Sequence, residues 1–565
     1  MVGPRERTTI ANTGQWGART RRIVLALACS ACMVLGSPDH DLWWLGFFGW
    51  VPWMFAIDGL GPGRAFLYGW LCGTVTVYWG FLWLNQLLVK FASFPPLVAF
   101  PIHVLFGAWQ GLQWAIPAAL LAWFSRRRRI PSLWLAPLCW VAVEATLPSI
   151  FPAYMAFMWC WQPLWIQAAE LGGITTVSFS MLAINAALYA LVRRWLRERR
   201  LDRTAAIALG AWLVAIPSYG AIRIAQTERM MASTETLRIG VVQGNYSIRQ
   251  MATLGLRREI VETHQRESAE LDRRGAELIV WGETAYPNPR AFRRDTRTDL
   301  PENHPLKVMR GFDLPLVFGA VTSEARNPYP WNTALVLHPD GSVGDRYDKV
   351  YLLVFGEYIP IVDPEWFLEL VPAAAHLERG IGPGVLRIDG YRLGPLICYE
   401  DILPRFTRDI ARQGVHVFVN LTNDAWFGLT KEPAQHLGLA VFRTIEHRRA
   451  MVRAVNTGVS AYIDPTGRVQ HQTQVTDPDE QGPQPPSSFI ADVPMIEPGT
   501  ATTPYFLTGE LFNALVLLAL VILGVKARWA NETGAARDGR ESISQLGSSV
   551  IGLTTRDRAI HEPPS

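Results

Sequence analysis

Charged residues are scarce in this sequence. Asp, Glu, Lys and Arg together make up 18% of the 565 residues, whereas hydrophobic residues make up 49%. No basic stripe with interleaved aromatic residues occurs, so nucleic acid is not expected as a partner. A soluble protein of this length is seldom so apolar, and the composition therefore predicts a membrane protein. The length also predicts at least two folding units.

Cysteine is rare as well, with six in the chain. Five of them lie in the apolar first part of the sequence, where a cysteine usually acts as a small hydrophobic residue. Cys398 alone lies in the more polar remainder. It has no nearby cysteine for a disulfide, and no CxxC or Cys/His cluster that would predict zinc. The isolated thiol therefore predicts a reactive role.

Apolar runs of about bilayer-spanning length occur eight times. The predicted spans are residues 23–38, 41–57, 65–84, 96–124, 131–150, 174–192, 204–225 and 506–526. The first could instead be a signal peptide, since a basic stretch precedes the small residues LACSAC. The apolar run that follows at once favours a hairpin of two spans.

The basic residues indicate the orientation of these spans. Clusters precede the first span and follow the fourth, sixth and eighth, whereas residues 151–173 contain neither Lys nor Arg. The positive-inside rule places these clusters in the cytoplasm, and residues 226–505 then lie outside. The predicted parts are a cytoplasmic arm 1–22, a membrane domain 23–225 with seven spans, a catalytic domain 226–505, an eighth transmembrane helix 506–526, and a cytoplasmic, disordered tail 527–565.

The outer segment has the pattern of a layered α/β domain. Apolar strands such as 236–245 and 415–423 alternate with amphipathic helices such as 253–274. Residues 333–349 predict a β-hairpin with Pro-Asp-Gly at its turn. Strands that alternate with helices and end in polar residues predict a site at the strand ends.

Three polar residues at predicted strand ends suit acyl transfer: Glu283 in VWGETAYP, Lys349 in DRYDKVYLL, and Cys398 in PLICYEDILP. A thiolate is a strong nucleophile near neutral pH. A buried carboxylate can accept its proton, and an ammonium can stabilise the thiolate and the oxyanion of an attacked carbonyl. His436 and His447 are interpreted as helix residues without a catalytic role.

The order Glu–Lys–Cys, within VWGET, FGEYIP, ICYED and LTNDAWFG, resembles the nitrilase (carbon–nitrogen hydrolase) superfamily. Seven preceding spans and one following span resemble its membrane branch, the apolipoprotein N-acyltransferases. The resemblance covers roughly residues 20–526. One departure is the absence of the Trp that often follows the VQGN segment in this family, which puts a lipid contact there in doubt.

The resemblance implies an α-β-β-α sandwich on a membrane base of eight helices. It implies that Glu283 is the general base, that Lys349 is the electrophilic stabiliser and that Cys398 is the nucleophile.

The resemblance also implies supporting roles. Glu357 in FGEYIP matches the second glutamate of the family, which supports the lysine and positions the substrate. Tyr399 and Glu400 match positions after the nucleophile where the family has functional side chains.

The implied reaction moves a fatty acyl chain from a phospholipid to the cysteine, and then to the α-amino group of a lipoprotein's diacylglyceryl-cysteine. The resemblance implies no metal and no organic cofactor, because the thioester keeps the acyl group activated. The implied partners are the phospholipid donor, the lipoprotein acceptor and the membrane, for a monomer in a bacterial inner membrane with its catalytic domain in the periplasm.

Two other functions remain open from the sequence. One is a membrane-anchored amidase or hydrolase that uses water as the acceptor. The other is a transporter or receptor with a degenerate, non-catalytic outer domain, for which Glu144 is the main ionisable residue within a span. Two apolar stretches, 361–377 and 425–429, are candidates for a lipid-facing rim, and the alternative for them is an ordinary buried helix and turn.

Overall fold

A computed structural model describes residues 4–127, 132–287, 292–359, 363–371 and 374–529. The tail that the sequence predicts to be disordered lies outside these residues from position 530 onward.

The first part of the described chain is almost entirely helical. Its α-helices are Pro4–Gly36, Val51–Ile57, Pro62–Gly80, Leu82–Lys90, Pro96–Gln110, Leu112–Arg127, Ser132–Glu144, Pro163–Ile166, Ala169–Gly172, Ile174–Glu198 and Arg203–Ala232. Two short 3₁₀ helices, Trp43–Phe47 and Met155–Trp159, lie between them. One long helix, Leu511–Trp529, follows the α/β part.

Four of these helical segments are long and apolar enough to cross a bilayer: Pro96–Arg126, Ile174–Glu198, Arg203–Ala232 and Leu511–Trp529. A fifth crossing is obtained if the helices Pro62–Gly80 and Leu82–Lys90, which meet at an angle of 52°, form one broken span. Each of these segments overlaps one predicted span. The described residues therefore form a membrane domain of several apolar helices, but the predicted number of eight spans is not reached.

The remaining predicted spans are shorter or more polar helices. The helix Ser132–Glu144 has 13 residues, or about 20 Å, whereas the hydrocarbon core of a bilayer is about 30 Å thick. The helix Pro4–Gly36 contains the predicted span 23–38, but its first half is rich in polar residues.

The predicted span 41–57 is not one continuous helix. It consists of the 3₁₀ helix Trp43–Phe47 and the seven-residue helix Val51–Ile57. Asn185 fills the break, because its side chain accepts from the Trp50 backbone N–H at 3.0 Å and donates to the Gly46 carbonyl at 2.7 Å. A broken helix is tolerated inside a membrane protein where a neighbouring side chain satisfies the freed backbone groups. The hydropathy of the sequence could not indicate this interruption.

Twelve strands of the described chain form two six-stranded sheets. They are β1 Thr236–Gln243, β2 Leu278–Trp281, β3 Leu316–Glu324, β4 Asn327–Leu337, β5 Val343–Asp348, β6 Leu386–Ile388, β7 Tyr391–Ile397, β8 Val417–Thr422, β9 Ala450–Val455, β10 Ala461–Ile463, β11 Val469–Gln472 and β12 Ser487–Pro494. The strand orders are β12-β1-β2-β3-β4-β5 and β11-β10-β9-β8-β7-β6. In the centre of each sheet three strands are parallel, β1-β2-β3 in one and β7-β8-β9 in the other.

The two sheets pack face to face and helices cover their outer faces. Helix Arg257–Arg273 packs on β1, β2 and β12, and helix Pro404–Ala411 packs on β7. Every residue of β2, β8 and β9 is buried, as expected for central strands covered on both faces. The predicted α-β-β-α sandwich is thus confirmed. Strand β12, which pairs antiparallel with β1, was not predicted from the sequence.

One helix of the sandwich, Glu432–His447, also forms the contact with the membrane part, and almost all of its residues are buried. Trp83 donates through Nε1 to the Gln435 side chain at 3.0 Å. At the other end of the helix, the Glu446 carboxylate accepts from the Ile174 backbone N–H at 2.9 Å. The sandwich therefore lies directly on the membrane helices, and its strand ends face them.

Candidate active site

The three predicted catalytic residues follow three different strands. Glu283 lies two residues after β2, and Lys349 directly follows β5, both in the first sheet. Cys398 directly follows β7 in the second sheet. Because the two sheets pack face to face, these strand ends meet, and all three side chains line one groove.

Lys349 lies between two carboxylates. Its ammonium donates to Glu283 Oε1 at 3.2 Å and to Glu357 Oε1 at 2.9 Å, and the lysine is 1% exposed. Burial alone lowers the pKa of Lys349, but the neighbouring Cys398, Glu283 and Glu357 together raise that pKa well above its usual value. The amine is therefore a fixed positive charge in the groove at neutral pH.

Glu283 has a carboxylate that binds a proton more tightly than an ordinary glutamate does, as a general base requires. Burial raises its pKa, Glu357 raises it further, and the Lys349 charge opposes the rise, with a net pKa above the usual value. Asn332 holds the carboxylate by donating to Glu283 Oε1 at 2.7 Å, and it also donates to Glu357 at 3.1 Å. Sequence reasoning missed Asn332. The only feature that could have indicated Asn332 is its amide side chain within a buried strand.

Cys398 begins the 3₁₀ helix Cys398–Ile402 with a φ of +55°, which is uncommon for a residue other than glycine. This conformation lies at the abrupt change from strand to helix. Burial raises the pKa of the thiol to about 12, although Lys349 lowers it. The thiol is therefore neutral at pH 7, and a base must remove its proton as it attacks.

Glu400 joins the nucleophile turn to the segment after Lys349. Its buried carboxylate accepts four hydrogen bonds, from the Tyr347 hydroxyl at 2.8 Å and from the backbone N–H groups of Ile397 at 2.8 Å, Val350 at 2.7 Å and Tyr351 at 3.0 Å. Burial raises the pKa of Glu400 to about 7, against these donors, which favour the ionised form. The side chain thus holds the two sheets in register at the site.

The other two supporting residues contact the same segment. Tyr399 donates its hydroxyl to the Leu352 carbonyl at 3.1 Å, and its ring centre lies 5.8 Å from the Lys349 ammonium. Glu357 accepts from the Leu353 backbone N–H at 3.0 Å. All three supporting residues therefore orient Lys349 or the residues that follow it.

The groove at the site extends onto the membrane helices. Apolar side chains of two of these helices line it: Leu84, Leu87, Leu88, Ile102, Leu105 and Phe106. Residues of both predicted rim stretches also line it: Phe367, Val371, Ala375, Leu377, Trp426 and Phe427. Positions 361, 362, 372 and 373 of the first stretch lie outside the described residues. The site thus opens onto an apolar surface that both parts of the chain form.

Two known families match this chain in succession. The carbon-nitrogen hydrolase family matches residues 238–479, and the N-terminal domain of apolipoprotein N-acyltransferases matches residues 29–187. The chain belongs to the apolipoprotein N-acyltransferase family. The helical part and the sandwich each correspond to one of the two matches.

Relatives are similar over both parts of the chain. An apolipoprotein N-acyltransferase of Geobacter metallireducens is 28% identical over 481 residues, which cover 80% of this chain and 87% of that protein. Another, of Rhodopseudomonas palustris, is 28% identical over 550 residues, covering 91% and 96%. Among solved structures, an amidase from Nesterenkonia sp. is 18% identical, with a TM-score of 0.35, and covers 50% of this chain and 97% of its own.

Replacing Glu400 with glutamine is expected to slow acylation of Cys398 about 10- to 100-fold without unfolding the protein. The amide keeps the shape of the side chain, but its NH₂ group faces donors that need an acceptor, so the loop after Lys349 shifts. The rate is measured by single-turnover acylation, with thermal unfolding as the check on folding. Glu369→Gln, on the helix Pro364–Leu370, is the control. An unchanged rate would contradict the positioning role.

The rate of acylation is expected to fall as the pH is lowered through the raised pKa of Glu283. Only the ionised carboxylate accepts the thiol proton, so the rate is full above that pKa and declines about tenfold per pH unit below it. The profile is measured by quenched single-turnover acylation. Glu283→Gln should lose both the rate and this acidic limb. An unchanged limb in that variant would assign it to another group.

Proposed function

We propose that this protein transfers a fatty acyl chain from a phospholipid, through a thioester on Cys398, to the N-terminal α-amino group of diacylglyceryl-cysteine lipoproteins. The relatives in Geobacter and Rhodopseudomonas are named apolipoprotein N-acyltransferases. This step would complete the maturation of the lipoprotein.

The observation that carries the proposal is the groove, which joins the three polar residues to apolar membrane helices. Each methylene of an acyl chain that leaves the bilayer for water costs about 0.8 kcal/mol. A groove lined by the helices Leu82–Lys90 and Pro96–Gln110 avoids that cost, because the chain passes from lipid onto apolar side chains. A small polar amide would gain nothing from this lining.

The proposed first half-reaction forms the thioester. Glu283 takes the Sγ proton of Cys398 while the sulfur attacks the ester carbonyl of the phospholipid. The Lys349 ammonium stabilises the oxyanion of the tetrahedral intermediate. The C–O bond then breaks, and the lysophospholipid leaves with the proton from Glu283.

The second half-reaction transfers the acyl chain. The neutral α-amino group of the acceptor attacks the thioester carbonyl, and Glu283 takes the proton that the nitrogen loses. The C–S bond breaks, the amide forms, and Cys398 recovers a proton. The thioester keeps the acyl group activated between the two steps.

The proposed topology has eight crossings, with the sandwich in the periplasm of a bacterial inner membrane. Its support is the charge pattern, since the basic clusters flank the spans on one side. The domain limits are those of the sequence analysis, namely 1–22, 23–225, 226–505, 506–526 and 527–565. Three crossings would then be short or broken helices, as in the segment whose break Asn185 fills. The protein is proposed to act as a monomer.

A hydrolase that uses water in place of the amine is the second candidate, because Glu283, Lys349 and Cys398 would serve it equally. The transporter alternative gains no support from Glu144. Its carboxylate accepts from the Met155 backbone N–H at 2.7 Å and from Trp140 at 3.2 Å, as a structural acceptor would.

The two candidates are separated by where the acyl chain goes. Purified full-length protein in detergent is incubated with phospholipid, and its intact mass is measured before and after a diacylglyceryl-cysteine peptide is added. We expect a fatty-acyl increment that the peptide discharges and that then appears on the amine of the peptide. An increment lost at the same rate with and without the peptide would overturn the transferase in favour of the hydrolase.

A further inference from the structure

Three ligand-type side chains meet behind the nucleophile turn. Asp424 follows β8, in the 3₁₀ helix Asp424–Trp426, while Glu432 and His436 lie one turn apart on the helix Glu432–His447. One ligand atom from each of the three lies within 4.8 Å of the others, and all three residues are buried. None of them belongs to the proposed acyl-transfer machinery.

The spacing in this cluster is too long for ordinary hydrogen bonds. His436 Nδ1 lies 3.4 Å from Asp424 Oδ1 and 3.7 Å from Glu432 Oε1. Hydrogen bonds from N–H to oxygen are about 2.7–3.2 Å long. Two ligands of a tetrahedral zinc ion, with bonds of about 2.0–2.1 Å, are about 3.4 Å apart. The distances therefore suit a shared metal ion better than a shared proton.

The carboxylates of the cluster are also unsatisfied. Asp424 is 1% exposed, and neither of its oxygens has a hydrogen-bond partner among the described residues. Oε2 of Glu432 likewise has no hydrogen-bond partner within the described part of the chain. A buried carboxylate without partners is strongly disfavoured unless a cation lies beside it.

The second nitrogen of His436 is arranged as in metal sites. Its Nε2 lies 2.9 Å from Asp401 Oδ1, and Asp401 is itself paired with the buried Arg453. A histidine that binds a metal through one ring nitrogen commonly donates its other N–H to a carboxylate, which fixes the tautomer. In a neutral ring that donates from Nε2, the lone pair of Nδ1 faces Asp424 and Glu432.

A divalent cation would also balance the charges of the cluster. When ionised, Asp401, Asp424 and Glu432 carry three negative charges, and Arg453 carries one positive charge. With a neutral His436, a divalent ion brings the buried group to zero. Protons on His436 and Glu432 would achieve the same balance, and they are the competing explanation.

We propose that Asp424, Glu432 and His436 bind a zinc ion as a structural site. Glu432 and His436 also line a second, apolar cavity between the sandwich and the membrane helices. The ion ties Asp401, on the nucleophile turn, to the loop that carries Trp426 and Phe427 into the groove. This inference departs from the sequence analysis, which predicted no metal, and it is independent of the proposed reaction.

The test measures bound zinc in the full-length protein in detergent, by mass spectrometry of the metal after dialysis. Wild type and His447→Gln should each retain about one zinc per chain, since His447 lies on the same helix, buried and outside the cluster. Asp424→Asn and His436→Gln should retain at least tenfold less. A strong chelator should lower the Tm of wild type and His447→Gln, but not that of His436→Gln.

Two outcomes would overturn the site. One is wild-type protein with less than about a tenth of a zinc per chain, both as purified and after incubation with zinc, which would favour the shared protons. The other is zinc with sulfur neighbours, which would assign the ion to a cysteine instead. X-ray absorption on wild-type protein reads the ligands directly, with nitrogen and oxygen neighbours expected, and it needs no variant to fold. Neither result depends on whether acyl transfer occurs.

Discussion

Cys398→Ala is expected to abolish the acyl-enzyme and to reduce transfer to the peptide amine by about 10⁴-fold or more. The variant lacks the only sulfur that can form the thioester, because none of the other five cysteines, all within the described residues, lines the groove. Intact mass after incubation with phospholipid measures the adduct directly. A thiol-to-methyl change in a partly accessible position should leave the fold intact.

Cys160→Ala is the matched control, since Cys160 is buried in the membrane part away from the groove. It should acquire the acyl increment at the wild-type rate. Cys398→Ser should be acylated at least about 10²-fold more slowly, because a hydroxyl is much harder to deprotonate than a thiol. An acyl increment of normal size and rate on Cys398→Ala would eliminate Cys398 as the nucleophile.

Lys349→Met is expected to slow acylation of Cys398 by about 10³-fold. The change removes the charge that stabilises the oxyanion, which alone is worth about 10²–10³-fold. It also leaves the buried carboxylate of Glu283 beside that of Glu357 without the ammonium between them, so the pKa of Glu283 rises and Glu283 becomes protonated. Single-turnover acylation measures the rate, and the acidic limb of its pH profile should move to higher pH.

Lys307→Met is the control for Lys349→Met. Lys307 is also an ion-paired lysine of the sandwich, but its partner is Glu302 and it does not line the groove. It should leave the rate and the pH profile unchanged. Thermal unfolding separates a chemical defect from a folding defect. A folded Lys349→Met protein that acylates at the wild-type rate would remove Lys349 from the mechanism.

Most elements of the sandwich were predictable from the sequence. The hydrophobic runs at β1 and β8 and the hairpin β4–β5 are local patterns, and the structure confirms them. Strand β12 was missed, because its pairing with β1 joins segments far apart in the chain. The predicted count of eight spans exceeds the four or five apolar crossings found among the described residues. Hydropathy measures burial in an apolar environment, and a short buried segment such as 41–57 has the same composition as a span.

The candidate site was only partly predictable. Glu283, Lys349 and Cys398 were proposed from their motifs, and the structure brings the first two into contact and all three to one groove, while their roles stay predictions. The roles of Asn332, of the four donors to Glu400 and of the group around His436 could not be assigned from a single sequence, since a buried polar residue is recognised only by what surrounds it.

The sequence by itself determined the division into an apolar helical part and an α/β sandwich, because hydrophobic periodicity and turn residues act over short distances along the chain. It also determined which residue types stand at the strand ends. Only the tertiary structure decided that the groove extends from Cys398 onto two membrane helices, and that Asp424, Glu432 and His436 converge behind the nucleophile turn. Both features depend on how the two sheets and the membrane helices pack together. That packing is determined by contacts between side chains that lie far apart in the sequence.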